Sequence, residues 1–126
     1  HAEAAVRETH EEFGILPARV SAVGVLRFHF RAGGGKPAWD QECVVFTARE
    51  WSGEPCESEE MTPAWFANGA IPFDQMWADD RVWFPLLFAG EEFFGDIDFA
   101  ADEAMVGEPR ISALPAGAVA RYLAGR

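Results

Sequence analysis

Apolar residues at the start of the chain recur with the spacing of an α-helix. At about 100° per residue, Ala2, Ala5, Val6, Thr9 and Phe13 gather on one side of such a helix. A glycine and then a proline follow, and both residue types commonly end helices. The pattern predicts an amphipathic helix that packs one face and ends near residue 14.

The next apolar segments have the composition and alternation of β-strands. Residues 20–30 are rich in apolar side chains and end in the alternating run L-R-F-H-F, which predicts one buried face. The glycine-rich residues 31–37 lack the G-K-[ST] ending of a phosphate loop, so we interpret them as a hairpin connection. Further strands are predicted at residues 41–48, 64–66 and 92–99.

Two more helices are predicted in the second half of the chain. Asp79 or Asp80 can cap a helix over residues 81–89, where Pro85 is tolerated only near the first turn. Residues 115–124 predict a short terminal helix. Together these elements predict an α/β fold, an α/β/α sandwich around a mixed, largely antiparallel sheet.

The length and charge limit the domain count and the partners. With 126 residues the chain forms one domain, which we place at residues 1–114, followed by a tail at 115–126. A net charge of −11 argues against nucleic acid, because Lys and Arg hold phosphate backbones. No apolar run approaches the ~20 residues of a membrane span. We therefore expect a monomer that binds a small molecule, with no membrane or nucleic-acid partner.

The cysteines and histidines do not have the spacing of a zinc site. Cys43 and Cys56 form no C-x-x-C pair, and His1, His10 and His29 are scattered along the chain. Two unpatterned cysteines suit a reducing compartment. The expected localisation is cytoplasmic.

A cluster of carboxylates lies within one turn of the first helix. Glu8, Glu11 and Glu12 fall within an arc of roughly 100°, where like charges repel unless a cation lies among them. Mg²⁺ prefers oxygen ligands and bridges carboxylates to phosphates, and Mn²⁺ could replace it. On spacing alone, a solvated acidic helix face is the favoured interpretation, because runs of charged residues usually have no metal-binding role.

Residues 7–15, R-E-T-H-E-E-F-G-I, resemble the second half of the Nudix box, G-x5-E-x7-R-E-U-x-E-E-x-G-U, where U is aliphatic. Thr9 is less apolar than the box prescribes. The first half of the box and the strand or strands before it would precede residue 1. The resemblance therefore implies an N-terminally truncated Nudix domain, which on its own we expect to be poorly stable and nearly inactive.

Later segments resemble one Nudix group, the oxidised purine nucleoside triphosphate hydrolases, or 8-oxo-dGTP diphosphatases, of the mammalian sanitising type. The matching segments are residues 23–30, 57–66, 71–80 and 83–87. Three features depart from that group: the loop at 31–37 is longer, Ala78 replaces a proline, and the tail beyond about residue 110 has no counterpart.

The resemblance implies a role for each matching acidic residue of the metal site. Glu8, Glu11, Glu12 and Glu60 would bind the metal. Glu11, Glu12 and Glu60 would also be catalytic, and Glu60 would assist the metal or the water. Arg7 would orient the glutamates through an ion pair rather than touch substrate.

The resemblance also implies a base pocket. Phe28 and Trp77 would sandwich the purine, and Asp79 and Asp80 would read its edge. Without the resemblance, the two aspartates would be interpreted as a helix cap and the aromatics as core residues. The remaining tryptophans are interpreted as packing residues: Trp39, Trp51, Trp65 and Trp83.

The implied reaction is magnesium-dependent hydrolysis of an oxidised purine nucleoside triphosphate to the monophosphate and pyrophosphate, which sanitises the nucleotide pool. Two alternatives stay open. A Nudix hydrolase of another nucleoside diphosphate derivative would share the helix glutamates without needing Trp77 beside two aspartates. A non-catalytic Nudix-fold module that binds nucleotides is the other alternative, although such modules usually lose a carboxylate of the box.

Overall fold

The computed structural model describes residues 1–32, 40–58 and 62–125. These residues form two compact units, His1–Ala22 with Phe46–Ala70 and Val23–Val45 with Ile71–Arg126, called here the first and second units. The helices and strands, in chain order, are α1 (Ala2–Phe13), β1 (Leu16–Ala18), β2 (Ser21–Ala32), β3 (Gln41–Thr47), β4 (Glu50–Ser52), α2 (Asp80–Phe88), β5 (Glu92–Ala100), β6 (Arg110–Leu114) and α3 (Ala118–Ala124).

In the first unit, α1 ends where the sequence predicts. Gly14 adopts the left-handed conformation at φ 79°, and its N–H donates to the carbonyl of His10 at 3.0 Å. Only glycine takes this conformation without a steric cost. The hydroxyl of Thr9, the residue that departs from the Nudix pattern, donates back to the Ala5 carbonyl at 2.7 Å. This bond lets a polar residue occupy a half-buried helix position.

The first unit also contains a two-stranded sheet that the sequence did not predict. Strand β1 pairs antiparallel with β4, and Pro17 lies opposite Trp51. Each strand has three residues, too few to show a period of two. Their pairing joins segments far apart in the chain, so no local pattern could reveal it.

The prediction of a strand at residues 64–66 is wrong, because these residues have no regular structure. Trp65 is 69% exposed and Phe66 is 52% exposed. A strand needs a neighbouring strand for its backbone hydrogen bonds. In the first unit β1 and β4 pair with each other, and residues 64–66 do not join their sheet. Trp51 is also exposed, and its ring lies 5.4 Å from that of Trp65. Neither tryptophan is therefore a core residue, and Trp39 lies outside the described residues.

The larger sheet has the strand order β3-β2-β5-β6. Strand β2 pairs parallel with β5, and β5 pairs antiparallel with β6. Three predicted strands correspond to β2, β3 and β5, whereas β6 was not predicted. The predicted α/β class with a mixed sheet is confirmed. The predicted hairpin connection between β2 and β3 lies mostly outside the described residues.

In the second unit, the two faces of this sheet pack differently. The buried cluster on one face consists of Leu26, Phe30, Phe93, Ile97 and Phe99. Side chains of α2, including the half-buried Trp83, pack against it. On the opposite face, Tyr122 of α3 contacts Phe94, with ring centroids 5.8 Å apart. Alternation of side chains along β2 and β5 explains why one face is apolar and the other carries charged residues.

Helix α2 contains its proline deeper than predicted. Pro85 lies inside the helix, which starts at Asp80, so the expectation that it must lie near the first turn is wrong. The missing N–H removes one bond, to the carbonyl of Arg81 in the first turn. Trp83 and Leu86, on either side of the proline, pack against the core.

A helix forms within the predicted tail, where α3 begins beside β5. The Glu92 carboxylate accepts hydrogen bonds from the backbone N–H groups of Gly117 at 2.5 Å and Val119 at 2.9 Å. A carboxylate at this position satisfies otherwise free N–H groups at the helix start. The domain boundary at residue 114 stays a prediction. Among the helices that the structure describes, none has the length and apolarity needed to cross a bilayer.

Candidate active site

A cavity of about 250 Å³ opens in the second unit. Its described lining consists of Phe28, Phe30, Gln41, Trp77, Asp79, Asp80 and Phe99. Typical ligand pockets measure about 300–1,000 Å³. The cavity is smaller than that range, so it suits one flat ring system rather than a whole nucleotide. All four residues that the sequence predicted for substrate binding lie in this wall.

The aromatic side chains of the wall pack against one another. The ring of Phe99 lies 6.1 Å from that of Phe28 and 5.2 Å from that of Phe30, in near-parallel arrangements. Trp77 meets Phe99 edge-on at 5.1 Å and is itself 49% exposed. Phe28 and Phe30 face the same way because they are two residues apart on β2. The cavity thus offers an apolar surface with an accessible indole ring.

Asp79 is the buried polar residue of this wall, with 1% of its surface exposed. Its Oδ2 accepts a hydrogen bond from the indole N–H of Trp83 at 2.9 Å. Its Oδ1 is buried and has no hydrogen-bond partner within residues 1–32, 40–58 and 62–125. Burial raises the pKa of Asp79, and the bond from Trp83 opposes that rise. An unpaired buried carboxylate oxygen is costly, so a ligand donor or a proton would stabilise it.

Asp80 shares this environment. Burial, and then the neighbouring charge of Asp79, raise the pKa of Asp80 to about 6, while hydrogen bonds from Trp83 and the Trp77 backbone oppose the rise. Two adjacent carboxyl groups of this kind tend to hold one proton between them. One group can then donate a hydrogen bond to a ligand while the other accepts.

The helix-cap interpretation of the two aspartates is wrong for their side chains. Asp79 occupies the residue before α2, but no side-chain hydrogen bond caps the helix. The Asp79 carboxylate bonds Trp83 instead. Capping of α2 therefore does not account for the position of the Asp79 carboxyl group in the cavity wall.

The glutamates of α1 lie in the first unit. Glu8 and Glu11 are exposed and Glu12 is half-buried. Arg7 lies 3.9 Å from Glu8 and 3.8 Å from Glu11, measured between nitrogen and oxygen atoms. The predicted ion pairing of Arg7 is therefore present, although exposed pairs of this kind stabilise little. Glu60 lies outside the described residues.

The donor chemistry of α1 suits a hard divalent ion, since carboxylates one turn apart offer oxygen ligands on one helix face. However, within the part of the chain that the structure describes, no group of three or more His, Cys, Asp or Glu side chains is arranged to hold a metal ion. The helix brings Glu8, Glu11 and Glu12 onto one element without gathering their carboxylates. Their assignment as metal ligands stays a prediction.

Comparison with protein families gives a match to the NUDIX domain over residues 1–87. The chain belongs to this family. The matched region includes the helix glutamates and the residues of the cavity wall up to Asp80, so the membership predicted from the box is confirmed.

Two relatives of this Nudix domain carry the same description. A zebrafish (Danio rerio) protein described as oxidized purine nucleoside triphosphate hydrolase is 39% identical over 104 residues, and a mouse (Mus musculus) protein of the same description is 36% identical over 104 residues. Each match covers 82% of this chain and 64% of the relative. The chain thus spans less than two thirds of the length of these curated relatives.

A solved structure has the same fold. The mutator MutT protein from Bacillus halodurans superposes with a TM-score of 0.78, covering 88% of this chain and 72% of that one, at 23% sequence identity. At that identity the likeness supports the Nudix-type fold.

Three residues of the Nudix domain's cavity were not predicted as site residues. Phe30 lies two positions after Phe28 on β2, so the alternating pattern could have indicated it. Phe99 and Gln41 come from β5 and β3. Nothing in their local sequence distinguishes them, because the sheet alone brings their strands beside β2.

Proposed function

We propose that this Nudix domain belongs to a divalent-metal-dependent diphosphatase that hydrolyses oxidised purine nucleoside triphosphates of the 8-oxo-dGTP type. The products would be the nucleoside monophosphate and pyrophosphate. The physiological role would be sanitation of the nucleotide pool by a cytoplasmic monomer that acts on free nucleotides.

The observation that carries the proposal is the carboxyl pair in the aromatic cavity. Asp79 has a buried Oδ1 without a partner among the described residues, and Asp80 has a pKa of about 6. Guanine and 8-oxoguanine both present a donor at N1 and an acceptor at O6. Reading such an edge needs one acceptor and one donor, which a singly protonated pair supplies. The two relatives described as oxidised purine nucleoside triphosphate hydrolases support the same substrate class.

The aromatic wall would hold the purine by stacking. Trp77 exposes its ring, and Phe28 belongs to the same wall. Stacking of a base on an aromatic side chain is worth about 1–3 kcal/mol in single-stranded nucleic-acid complexes. This contribution would orient the base without distinguishing one purine from another, so selectivity would rest on the polar groups.

The hydrolytic step needs a nucleophile and charge neutralisation. Water would attack a phosphorus atom of the diphosphate linkage, a new P–O bond would form, and the bridging P–O bond would break as pyrophosphate leaves. Glu11 and Glu12 would hold the metal and accept the proton of the water, with Glu8 and Glu60 as further ligands. A bound Mg²⁺ or Mn²⁺ would supply Lewis acidity and neutralise the developing charge.

The test is a nucleotide panel. The full-length protein, with Mg²⁺, is incubated with 8-oxo-dGTP, dGTP and nucleoside diphosphate derivatives, and released pyrophosphate and monophosphate are measured. Preferential release from 8-oxo-dGTP is expected. Turnover of another diphosphate derivative alone would identify a different Nudix hydrolase. Binding without any turnover would identify a non-catalytic module.

A further inference from the structure

Gln41 belongs to the cavity wall, and the proposed function does not yet use it. It is the first residue of β3, and its side chain is exposed. The rest of the described wall consists of aromatic rings and the two carboxyl groups. Among the described lining residues, Gln41 alone has a side-chain amide, which can both donate and accept hydrogen bonds.

An amide can recognise a pair of groups that an ionised carboxylate cannot. Its nitrogen donates and its oxygen accepts, and rotation of the side chain exchanges the two. The imidazole edge of 8-oxoguanine carries an N7–H donor beside the C8 carbonyl acceptor. Unoxidised guanine has an acceptor at N7 and a C–H group at C8. The oxidised edge can therefore form two hydrogen bonds with one amide: N7–H donates to the amide oxygen, and the C8 carbonyl accepts from the amide nitrogen.

The position of Gln41 suits this second edge. Asp79 and Asp80 come from the start of α2, whereas Gln41 comes from β3, so polar groups reach the cavity from two separate elements. A flat base stacked on the aromatic wall can then present one edge to the aspartates and another to the amide. The aspartates would meet atoms that oxidation leaves unchanged.

The residue after Gln41 is held on the other face of the sheet. Glu42 Oε2 accepts a hydrogen bond from the Tyr122 hydroxyl at 2.9 Å and lies 3.4 Å from Nε of Arg27. Successive side chains of a strand point to opposite faces. The contacts of Glu42 towards α3 are therefore consistent with a Gln41 side chain directed to the cavity.

We infer that Gln41 is a specificity-determining residue that reads the imidazole edge of the oxidised purine, an inference that rests on the proposed substrate class. The amide would accept from N7–H and donate to the C8 carbonyl. Side-chain contacts of this two-bond kind distinguish one base from another. Asp79 and Asp80 would bind guanine and its oxidised form alike.

The test measures binding of the two monophosphates, 8-oxo-dGMP and dGMP, by quenching of tryptophan fluorescence in the full-length protein. Wild type is expected to prefer 8-oxo-dGMP. Gln41→Met, similar in size, should lower that preference by about 10-fold, equal to about 1.4 kcal/mol, with dGMP affinity nearly unchanged. Gln41→Glu keeps the acceptor and loses the donor, so it should lower the preference too. Gln75→Met, at an exposed glutamine outside the cavity wall, is the control and should keep the wild-type preference.

Three outcomes would overturn the inference: equal losses for both monophosphates in Gln41→Met, an unchanged preference in that variant, or a wild-type protein without any preference. The binding assay needs no turnover, so it separates the inference from the proposed function. Retained preference in Gln41→Met with intact pyrophosphate release would remove the inference alone. A Gln41-dependent preference without pyrophosphate release would remove the hydrolytic function alone.

Discussion

The indole N–H of Trp83, one helical turn after Asp79, donates a hydrogen bond to Oδ2 of Asp79 at 2.9 Å. The bond connects a residue that packs against the sheet core with a residue of the cavity wall. It satisfies one carboxylate oxygen, while Oδ1 has no partner among the residues that the structure describes. Burial raises the pKa of Asp79, and the bond from a core-packed tryptophan opposes that rise.

Trp83→Phe should shift the pH profile of the enzyme upward. A donated hydrogen bond favours the ionised carboxylate, so its loss raises the pKa of Asp79 further. The singly protonated pair would then persist to higher pH. An enzyme that needs one proton on the pair has a bell-shaped dependence of kcat/KM on pH. We expect both the rising and the falling limb for 8-oxo-dGTP to move to higher pH by about one unit. Trp51→Phe, an exposed tryptophan of the first unit, is the control; an unchanged profile in Trp83→Phe would contradict the prediction.

Replacement of either aspartate should weaken catalysis through base recognition. We expect Asp79→Ala and Asp80→Ala each to lower kcat/KM for 8-oxo-dGTP by at least ~10-fold, equal to about 1.4 kcal/mol of transition-state stabilisation. Metal affinity should change little, because neither residue belongs to the glutamate cluster. Steady-state kinetics on 8-oxo-dGTP and dGTP provide the measurement. Losses well below ~10-fold on 8-oxo-dGTP in both variants would contradict a role of the aspartates in base recognition.

Asp80→Asn should stabilise the fold at neutral pH. The folded-state pKa of Asp80 is raised to about 6, so the ionised form is disfavoured in the folded protein. The folded protein binds a proton at Asp80 more tightly than the unfolded chain does. This preference stabilises the fold below the ordinary pKa near 3.8, and the stabilisation is lost as pH rises to about 6. The neutral variant avoids that loss, and its gain over wild type should grow from near zero at about pH 4 to on the order of 2 kcal/mol above pH 7.

Urea denaturation at several pH values measures this effect. Asp74→Asn is the matched control, because Asp74 is almost fully exposed and pairs with Arg81 on the surface. A gain for Asp80→Asn that did not vary with pH would rule out the titration of Asp80 as its cause.

The helix glutamates should be required for turnover and dispensable for folding. Glu11→Gln or Glu12→Gln keeps the side-chain shape and removes a charged ligand, so Mg²⁺-dependent turnover should fall by at least ~100-fold. Circular dichroism should be unchanged. Glu3→Gln, an exposed acidic residue in the first turn of the same helix, should behave as wild type. Near-normal turnover in Glu11→Gln and Glu12→Gln would mean that these carboxylates are a solvated surface.

Gly24→Ala should destabilise the second unit. A Cβ at Gly24 would overlap the ring of Phe93, one of the fully buried side chains. Overpacking of a core costs about 1–3 kcal/mol. Gly69→Ala, where a Cβ meets nothing within 4 Å, should cost less than ~0.5 kcal/mol. Thermal denaturation compares the two variants, and similar melting temperatures would show that Phe93 can move aside.

Local patterns were sufficient where neighbouring residues determine the structure. The helical spacing from Ala2 to Phe13 and the left-handed Gly14 define α1, because hydrogen bonds within a helix and its cap join residues close in sequence. The alternation in β2 and β5 likewise predicts which face is buried. The family could also be identified from local sequence. The box at residues 7–15 and the aromatic and acidic residues near position 77 are each contiguous in the chain.

Only the tertiary structure decided features that depend on distant partners. Strands β1, β4 and β6 form because another strand lies beside them, whereas no strand of the described residues pairs with residues 64–66. Gln41 lies in the cavity because β3 is next to β2 in the sheet. The protonation of Asp79 and Asp80 depends on burial and on the indole of Trp83. Burial and long-range pairing follow from the whole fold, so no stretch of sequence encodes them by itself.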